Sequence, residues 1–350
     1  MKTMILGANG LCGISLTHLL KGQELILIDG DEESNPPIIK VNVEIKDLWH
    51  ILRSFHMQKG DILIDLAPGL DKIGLMQLAD SVGVSVINAT CCEQDRGSLS
   101  LIDLLDDKLL LARYKWQVPH IVDGGMNPGN INALLASLVE KYGKPTDVTE
   151  WEVDSTIPYK WDGEGFATWS PEEFASEMCD EATWEVDGKN ILFADGSPID
   201  NLYDMGEGNV GALCEHEELL KWGWMYGCKA RYLYGYPSKT MDAIKKTIKE
   251  GLELTLCRKM KGRVPDGGDI IGVRAEFKRG TKSAQLSIQN KDPRVPELSN
   301  ATSYLVACGV VCAIEMLKQG GMPGLHWPDE YGTRWINVLR QRKLCDVRVD

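Results

Sequence analysis

Short apolar runs recur along the first part of the chain, and each is followed by residues with helical spacing. The runs at 4–6, 24–28, 61–65 and 84–88 are nearly continuous in apolar residues, the pattern of strands buried on both faces. Helical spacing follows at 14–20, 48–57 and 70–82. A short strand is expected at 41–43, a helix around 101–114, and a further strand ending at 121–123. This alternation predicts an α/β fold with a doubly wound parallel sheet. Past residue 143 the pattern changes. Strand-like stretches at 148–156, 189–195, 270–280 and 283–290 follow one another without regular helical crossovers, which predicts an inserted mixed α+β domain. A long apolar helix at 301–320 carries small residues at Ala307, Gly309 and Ala313 and is expected to return to the first domain. The predicted organisation is therefore 1–125, 126–300 and 301–350.

The first thirteen residues, MKTMILGANGLCG, join a strand to a helix through Gly7, Gly10 and Gly13. Such a turn suits an anionic pyrophosphate, because the first N–H groups of the helix lack internal partners and the helix dipole adds partial positive charge. The spacing is G-x-x-G-x-x-G, which an ordinary β-turn-helix packed by glycines also produces. The next strand ends in Asp29, about 20 residues past the turn, where an acid accepts hydrogen bonds from a ribose 2′-hydroxyl. The two features together predict a Rossmann-type dinucleotide site. Asp29 would repel a 2′-phosphate and no arginine follows it closely, so NAD is preferred over NADP.

Composition narrows the partners. Hydrophobic residues make up 43% and charged residues 25% of the 350 residues, as in soluble globular proteins. A net charge of −13 argues against nucleic acid and anionic membrane surfaces, and no membrane span is expected. The ten cysteines include no C-x-x-C pair, so they read as reduced thiols of a cytoplasmic protein. The six histidines lie apart from one another and from any cysteine cluster, and no metal site is expected.

Four further stretches carry candidate chemistry. Glu93, in the run Asn88-Ala-Thr-Cys-Cys-Glu93, is either a carboxylate facing a nicotinamide or a helix-capping acid. The bent segment Asp123-Gly-Gly-Met-Asn-Pro-Gly-Asn130 can set the Asn127 amide and Pro128 against a cofactor ring. Residues 150–187 interleave acids with Trp151, Trp161, Trp169 and Trp184, a composition suited to a protonated amine. Most of those acids are nevertheless expected on a solvated face. The fourth combines Cys214-Glu-His-Glu-Glu218 with Arg231-Tyr-Leu-Tyr-Gly-Tyr236. There His216 has the ordinary pKa for proton transfer, and Arg231 can pair with a substrate carboxylate or with a neighbouring acid.

Together these stretches resemble the saccharopine dehydrogenase-like superfamily, which includes homospermidine synthases. The glycine turn, Asn127-Pro-Gly129, Trp169-Ser170, Arg231-Tyr232 and the closing helix have counterparts in order. T-C-C-E (Thr90 to Glu93), T-W-S with F-A-S-E (Thr168 to Ser170, Phe174 to Glu177) and H-E-E (His216 to Glu218) lean toward homospermidine synthase. The resemblance implies an amine pocket lined by Glu93, Asn127, Trp169, Glu177 and His216, with Glu152 and Arg231 as substrate-binding residues. Glu93, Trp169, Glu177 and His216 would be catalytic. Cofactor contacts are expected at Gly7, Asn9, Gly10, Leu11, Cys12, Gly13, Asp29, Ala67, Pro68, Thr90, Asn127 and Pro128. The implied reaction is hydride transfer at a carbon bonded to nitrogen, on an amine or amino-acid substrate, in a homodimer. A non-catalytic NAD-binding sensor and a semialdehyde dehydrogenase with an essential cysteine at Cys91 or Cys92 are the competing readings.

Overall fold

The computed structural model describes residues 1–30, 39–40, 45–67, 70–89, 113–179, 183–256 and 265–350. The expected strand at 41–43 and most of the helix around 101–114 lie outside the described residues. The chain forms two units, Met1–Asn130 with Ser303–Val338, and Ile131–Thr302 with Leu339–Asp350.

The first unit opens with β1 (Thr3–Leu6), α1 (Leu11–Leu19), β2 (Leu25–Asp29), β3 (Ile39–Lys40), α2 (Ile45–Ser54), β4 (Ile62–Asp65), α3 (Lys72–Ser81), β5 (Ser85–Asn88) and β6 (Pro119–Ile121). Every pairing among these strands is parallel. All residues of β1, β4 and β5 are buried, as apolar runs covered on both faces must be. Leu48, Ile51 and Leu52 of α2 and Leu75, Met76 and Ala79 of α3 recur at helical spacing and fill one core with Met4, Leu6, Leu63 and Val86. Asp71 caps α3 by accepting from the Gly74 N–H at 2.8 Å, an arrangement that contributes about 1 kcal/mol. The spatial order 6-5-4-1-2-3 reverses direction between β1 and β4, and ligands of such sheets bind beyond the strand ends at that reversal.

The second unit contains α4 (Asn130–Tyr142), β7 (Asp147–Asp154), β8 (Phe166–Ala167), α5 (Pro171–Cys179), β9 (Trp184–Asp187), β10 (Asn190–Phe193), β11 (Leu202–Gly206) and β12 (Asn209–Cys214). It continues through α6 (Glu217–Tyr226), β13 (Lys229–Pro237), α7 (Ser238–Lys249), β14 (Thr255–Leu256), β15 (Gly268–Phe277) and β16 (Gly280–Gln289). Nine strands build a mixed sheet in which β7 lies between β13, parallel to it, and β15, antiparallel to it. Strand β7 alternates between half-buried and buried residues along its length. The buried phase is the unexpected one: Val148, Glu150, Glu152 and Asp154 are covered, while Trp151 and Val153 are only half-buried.

The chain then enters α8 (Ala301–Lys318), β17 (Gly324–His326), α9 (Gly332–Gln341) and β18 (Asp346–Val349). From Ser303 the helix belongs to the first unit, and β17 joins β6 as the seventh parallel strand. A Cβ on Gly309 would meet the Gly125 carbonyl oxygen at 1.9 Å, so the small residue lets α8 lie against that turn. By length and composition α8 is apolar enough to cross a membrane, contrary to the reading of the sequence, and 78% of it is buried inside the protein. The final segment also differs from expectation: β18 pairs with β16 and belongs to the second unit.

Candidate functional site

In the first unit the glycine turn closes tightly on itself. Gly7 has φ +77°, and its N–H and that of Ala8 both donate to the Ile28 carbonyl oxygen. A Cβ on Gly7 would meet the Leu66 oxygen at 2.7 Å, and one on Gly13 would meet the Gly7 oxygen at 2.2 Å. Gly10 is different. It is the exposed N-cap of α1, with the Gly7 oxygen at 3.4 Å as the nearest neighbour of an added Cβ. No side chain caps this helix and no acid occupies its first turn, leaving its N-terminus suited to an anion. Asp29, at the end of β2, accepts from the Asn9 N–H at 2.8 Å, which fixes the carboxylate beside the turn. Leu11 and Cys12 begin the helix; burial pushes the Cys12 thiol up to about 11, opposed by a hydrogen bond with Ser303.

Beyond β4 the chain is held by a charge that the sequence reading missed. The Lys72 ammonium donates to Asp65 Oδ2 at 2.8 Å and to the Ala67 carbonyl at 2.6 Å. Ala67 N–H donates to Asp65 Oδ1 at 3.2 Å, and Asn88 Nδ2 approaches Oδ2 at 3.4 Å. Both charged side chains are almost fully buried. Burial raises the Asp65 pKa, and the Lys72 charge opposes that rise. Asn127 lies in the cis Asn127–Pro128 segment; its amide nitrogen and oxygen are both buried without a hydrogen-bond partner among the described residues. Neighbouring Pro128 is buried. Pro68, Thr90 and Glu93 lie outside the described residues, as do Cys91 and Cys92.

In the second unit the carboxylates gather on one sheet face. Register places Tyr232 beside Glu150 and Tyr234 beside Glu152 on parallel strands, and Asp269 opposite Asp154 on β15. Glu150, Glu152, Asp154 and Asp269 are at most 2% exposed, while no lysine or arginine of this unit is buried among the described residues. Asp154 is the best solvated by protein: Thr156 N–H donates to Oδ1 at 2.9 Å and the Thr168 hydroxyl to Oδ2 at 2.6 Å. Burial raises its pKa and these donors oppose the rise. Glu152 Oε2 accepts from the Tyr232 hydroxyl at 3.1 Å. Burial, then the charges of Asp269, Asp154 and Glu177, hold Glu152 well above the ordinary carboxylate range. Burial and Asp154 do the same to Asp269. Without a cation, burial and mutual repulsion thus disfavour simultaneous ionisation of Glu152, Asp154 and Asp269.

Around this floor stand Trp169, Glu177 and His216, all half-buried. Trp169 Nε1 donates to the Tyr234 hydroxyl at 3.0 Å, and the Tyr236 hydroxyl donates to Tyr234 at 3.1 Å. Phe174 packs edgewise on Trp169, Tyr234 and Tyr236 and fixes their planes. His216 Nδ1 lies 2.7 Å from Glu218 Oε2, and its ring meets Tyr232 edgewise. Burial alone would lower the His216 pKa, but Glu218, Glu150 and Glu177 outweigh it and raise it to about 10. The side chain is thus a held cation that can donate a proton rather than accept one at neutral pH. Glu150, His216 and Glu218 place ligand atoms within 4.8 Å of one another, the spacing of a metal site. With His216 protonated the trio forms an ion cluster, and a metal cation at the same spacing would compete with that proton.

Glu152, Trp169, Glu177 and His216 are thus brought together. Arg231 is not, because it alternates to the opposite sheet face, where its Nε donates to Thr149 Oγ1 at 3.2 Å. Sequence reasoning quoted the stretches that hold Glu150, Asp154 and the three tyrosines without giving those residues a role, and it did not reach Asp269. Two of those groups carried a signal: acids at 150, 152 and 154 and tyrosines at 232, 234 and 236 both repeat every second residue.

No protein-family model and no curated protein sequence matches the chain. Among solved structures it is similar to the homospermidine synthase of Legionella pneumophila, determined in complex with NAD. That likeness has a TM-score of 0.77 and 17% identity, covering 100% of this chain and 91% of that one. It is also similar to apo saccharopine dehydrogenase (L-Glu forming) from Saccharomyces cerevisiae, with a TM-score of 0.64, 11% identity, and coverage of 100% and 99%. The chain therefore shares the α/β fold of these proteins, a Rossmann-type parallel sheet followed by a mixed-sheet unit.

Proposed function

We propose that this protein is a saccharopine dehydrogenase-like, NAD-dependent oxidoreductase acting at a carbon–nitrogen bond of a cationic amine or amino acid. The observation that carries the reading is the burial of Glu152, Asp154 and Asp269 on one sheet face, with no buried lysine or arginine of that unit among the described residues. Unpaired buried carboxylates are costly, and an ammonium ligand removes the cost by supplying the missing positive charge. The half-buried Trp169 indole adds a face for the same cation.

The dinucleotide reading rests on the open N-terminus of α1, the Gly10 approach and the fixed Asp29 carboxylate. It is further supported by the shared fold with a homospermidine synthase solved with NAD. Gly7 through Gly13 would hold the pyrophosphate, Asp29 the ribose, and Ala67 and Asn127 the remainder of the cofactor. When bound, NAD accepts or delivers the hydride. The chain's own residues do the rest: Glu152 and Asp269 bind the ammonium, Glu177 and Trp169 line its approach, and His216 holds a proton beside Glu218. Carboxylates fixed before charge develops stabilise a cationic carbon–nitrogen centre with little reorganisation.

The test follows NADH absorbance across diamines, lysine, glutamate and semialdehydes, with Glu152→Gln alongside the natural protein. Turnover with a cationic amine, and a loss of about 2–5 kcal/mol of amine binding in the variant, is the expected result. Bound NAD with no redox change across the whole panel would leave a cofactor-binding protein and overturn the catalytic reading.

A further inference from the structure

Strand β10 stands at one edge of the nine-stranded sheet and pairs only with β9 among the described residues. Its sequence is that of an interior strand, with Ile191, Leu192 and Phe193 in succession, yet Leu192 is 44% and Phe193 65% exposed. Helix α6 meets the β9–β10 turn, where a Cβ on Gly223 would lie 2.4 Å from the Gly188 carbonyl oxygen. The next two residues of that helix, Trp224 and Met225, are half-exposed as well. Apolar edges of this kind are normally blunted by a proline, a bulge or a charge within the strand. Strand β10 has none of these: it runs in continuous register with β9, and its charges stand outside it, Lys189 before and Asp195 after. Both are exposed. Ladder phase decides which backbone groups are available. Ala194 N–H donates to the Thr183 carbonyl oxygen at 2.8 Å, so the residues in phase with it, Asn190 and Leu192, bond to β9. Ile191 and Phe193 turn their N–H and C=O groups outward.

We infer that β10 pairs antiparallel with β10 of a second copy of this chain, about a two-fold axis at Leu192. That register sets Ile191 opposite the partner's Phe193 and Phe193 opposite the partner's Ile191. Both residues present outward backbone groups, so each pair exchanges both of its hydrogen bonds. Lys189 and Asp195 each lie three residues from Leu192, so the same axis sets Lys189 opposite the partner's Asp195, and the reverse. An axis at Ile191 or at Phe193 would instead set Lys189 against the partner's Phe193 or the partner's Ser197 and leave the charges unmatched. The edge is thus complementary to itself in backbone phase, apolar side chains and charge at once, as a two-fold contact requires. Trp224 and Met225 extend the apolar surface beside it.

The experiment is sedimentation equilibrium on the full chain at low salt, where exposed charges are least screened. The natural protein is expected to be a dimer in the micromolar range. Lys189→Glu sets an acid against the partner's Asp195 at both ends of the contact and should weaken the dimer about tenfold. Asp195→Lys alone should do the same. Lys189→Glu combined with Asp195→Lys exchanges the charges and should return the affinity to within about threefold of the natural value. Phe193→Glu places a charge in the middle of the pairing and should leave a monomer. All three positions are exposed, so these variants keep the fold, and a natural protein that is monomeric throughout the micromolar range overturns the inference without any of them. A dimer untouched by Lys189→Glu and Phe193→Glu overturns it by moving the contact to another surface. A double variant as weak as the single ones overturns the axis at Leu192. Assemblies that keep growing with concentration would mean an open contact instead of a closed pair, and overturn it likewise.

Discussion

Asp154 and Asp269 face each other in register across an antiparallel strand pair, and both are fully inaccessible to solvent. Two buried acids at paired positions cannot both ionise without a cation, and burial has raised both pKa values. The sign follows from proton counting. A carboxylate whose folded pKa exceeds its unfolded pKa binds more protons in the folded state, so stability falls as pH rises through that window. The melting temperature is therefore expected to decline from about pH 4 upward toward the raised values. Asp269→Asn should flatten the decline, melting higher than the natural protein at alkaline pH and not at acid pH. An amine that fills the pocket should flatten it too. Melting curves over pH, with and without amine, decide this; an unchanged slope in Asp269→Asn would show that the pair ionises without penalty.

His216 and Glu218 show the opposite chemistry in the same unit, a cation stabilised by an anion 2.7 Å away. With its pKa at about 10 against an ordinary value of 6.5, His216 contributes stability that is complete below about pH 6.5. The contribution is lost as pH rises toward the folded value. Glu218→Gln removes the strongest attraction that offsets burial of the ring, so the imidazole should lose its proton near or below neutrality. Histidine ring NMR reads this directly, and a His216 that stays protonated at pH 8 in the variant would assign the effect to Glu150 and Glu177 instead. The variant is also expected to lose on the order of 3 kcal/mol at pH 6.

Much of the first unit was legible because its signals are local. Continuous apolar runs require strands covered on both faces, and Gly7 must adopt a positive φ at a turn that only a few residue types tolerate. The second unit was harder to read because its buried face is polar. Along β7 the alternation points Trp151 and Val153 toward the core and the acids toward water, as an ordinary half-buried strand would. The fold reverses that phase. Gly272 on the neighbouring strand leaves room for the Trp151 ring, whose atoms would lie 2.5 Å from an added Cβ, and this seats the indole on the opposite face. Which phase is buried depends on partners over a hundred residues away, such as Asp269 opposite Asp154, and no local pattern reports them. Arg231 was misplaced for the same reason: one step of alternation separates it from Tyr232.

Lys72 is the only buried lysine among the described residues, and its two bonds tie Asp65 to the Ala67 carbonyl. Lys72→Met should destabilise the protein by about 3–5 kcal/mol, since Asp65 is left buried and charged. Combining it with Asp65→Asn removes the stranded charge and should restore most of that stability. The double variant still lacks the bond to Ala67. If this bond sets the loop for the dinucleotide, the restored protein should bind NAD about tenfold more weakly than the natural one, the cost of one misplaced contact. Denaturant melts and NAD titrations of the same three proteins separate the two effects, and natural NAD affinity in the double variant would leave Lys72 with a purely structural role.

Gly10 and Gly13 belong to one turn, yet their substitutions should fail differently. A methyl at Gly13 would strike the Gly7 oxygen at 2.2 Å and backbone atoms of Ala8 at 2.7 Å, contacts that no rotamer can relieve. Gly13→Ala is therefore expected to cost at least about 2 kcal/mol of stability through displaced backbone. At Gly10 the nearest contact is 3.4 Å, φ is −67°, and the residue is exposed. Gly10→Ala should fold normally, with a melting temperature within about 2 °C of the natural protein. What it changes is the approach to the N-terminus of α1, where a methyl group would occupy the space a pyrophosphate needs. NAD affinity should drop by a factor of about ten or more while the affinity for amines is unchanged. A titration showing full NAD affinity in well-folded Gly10→Ala would mean that the open helix N-terminus is not where the dinucleotide sits.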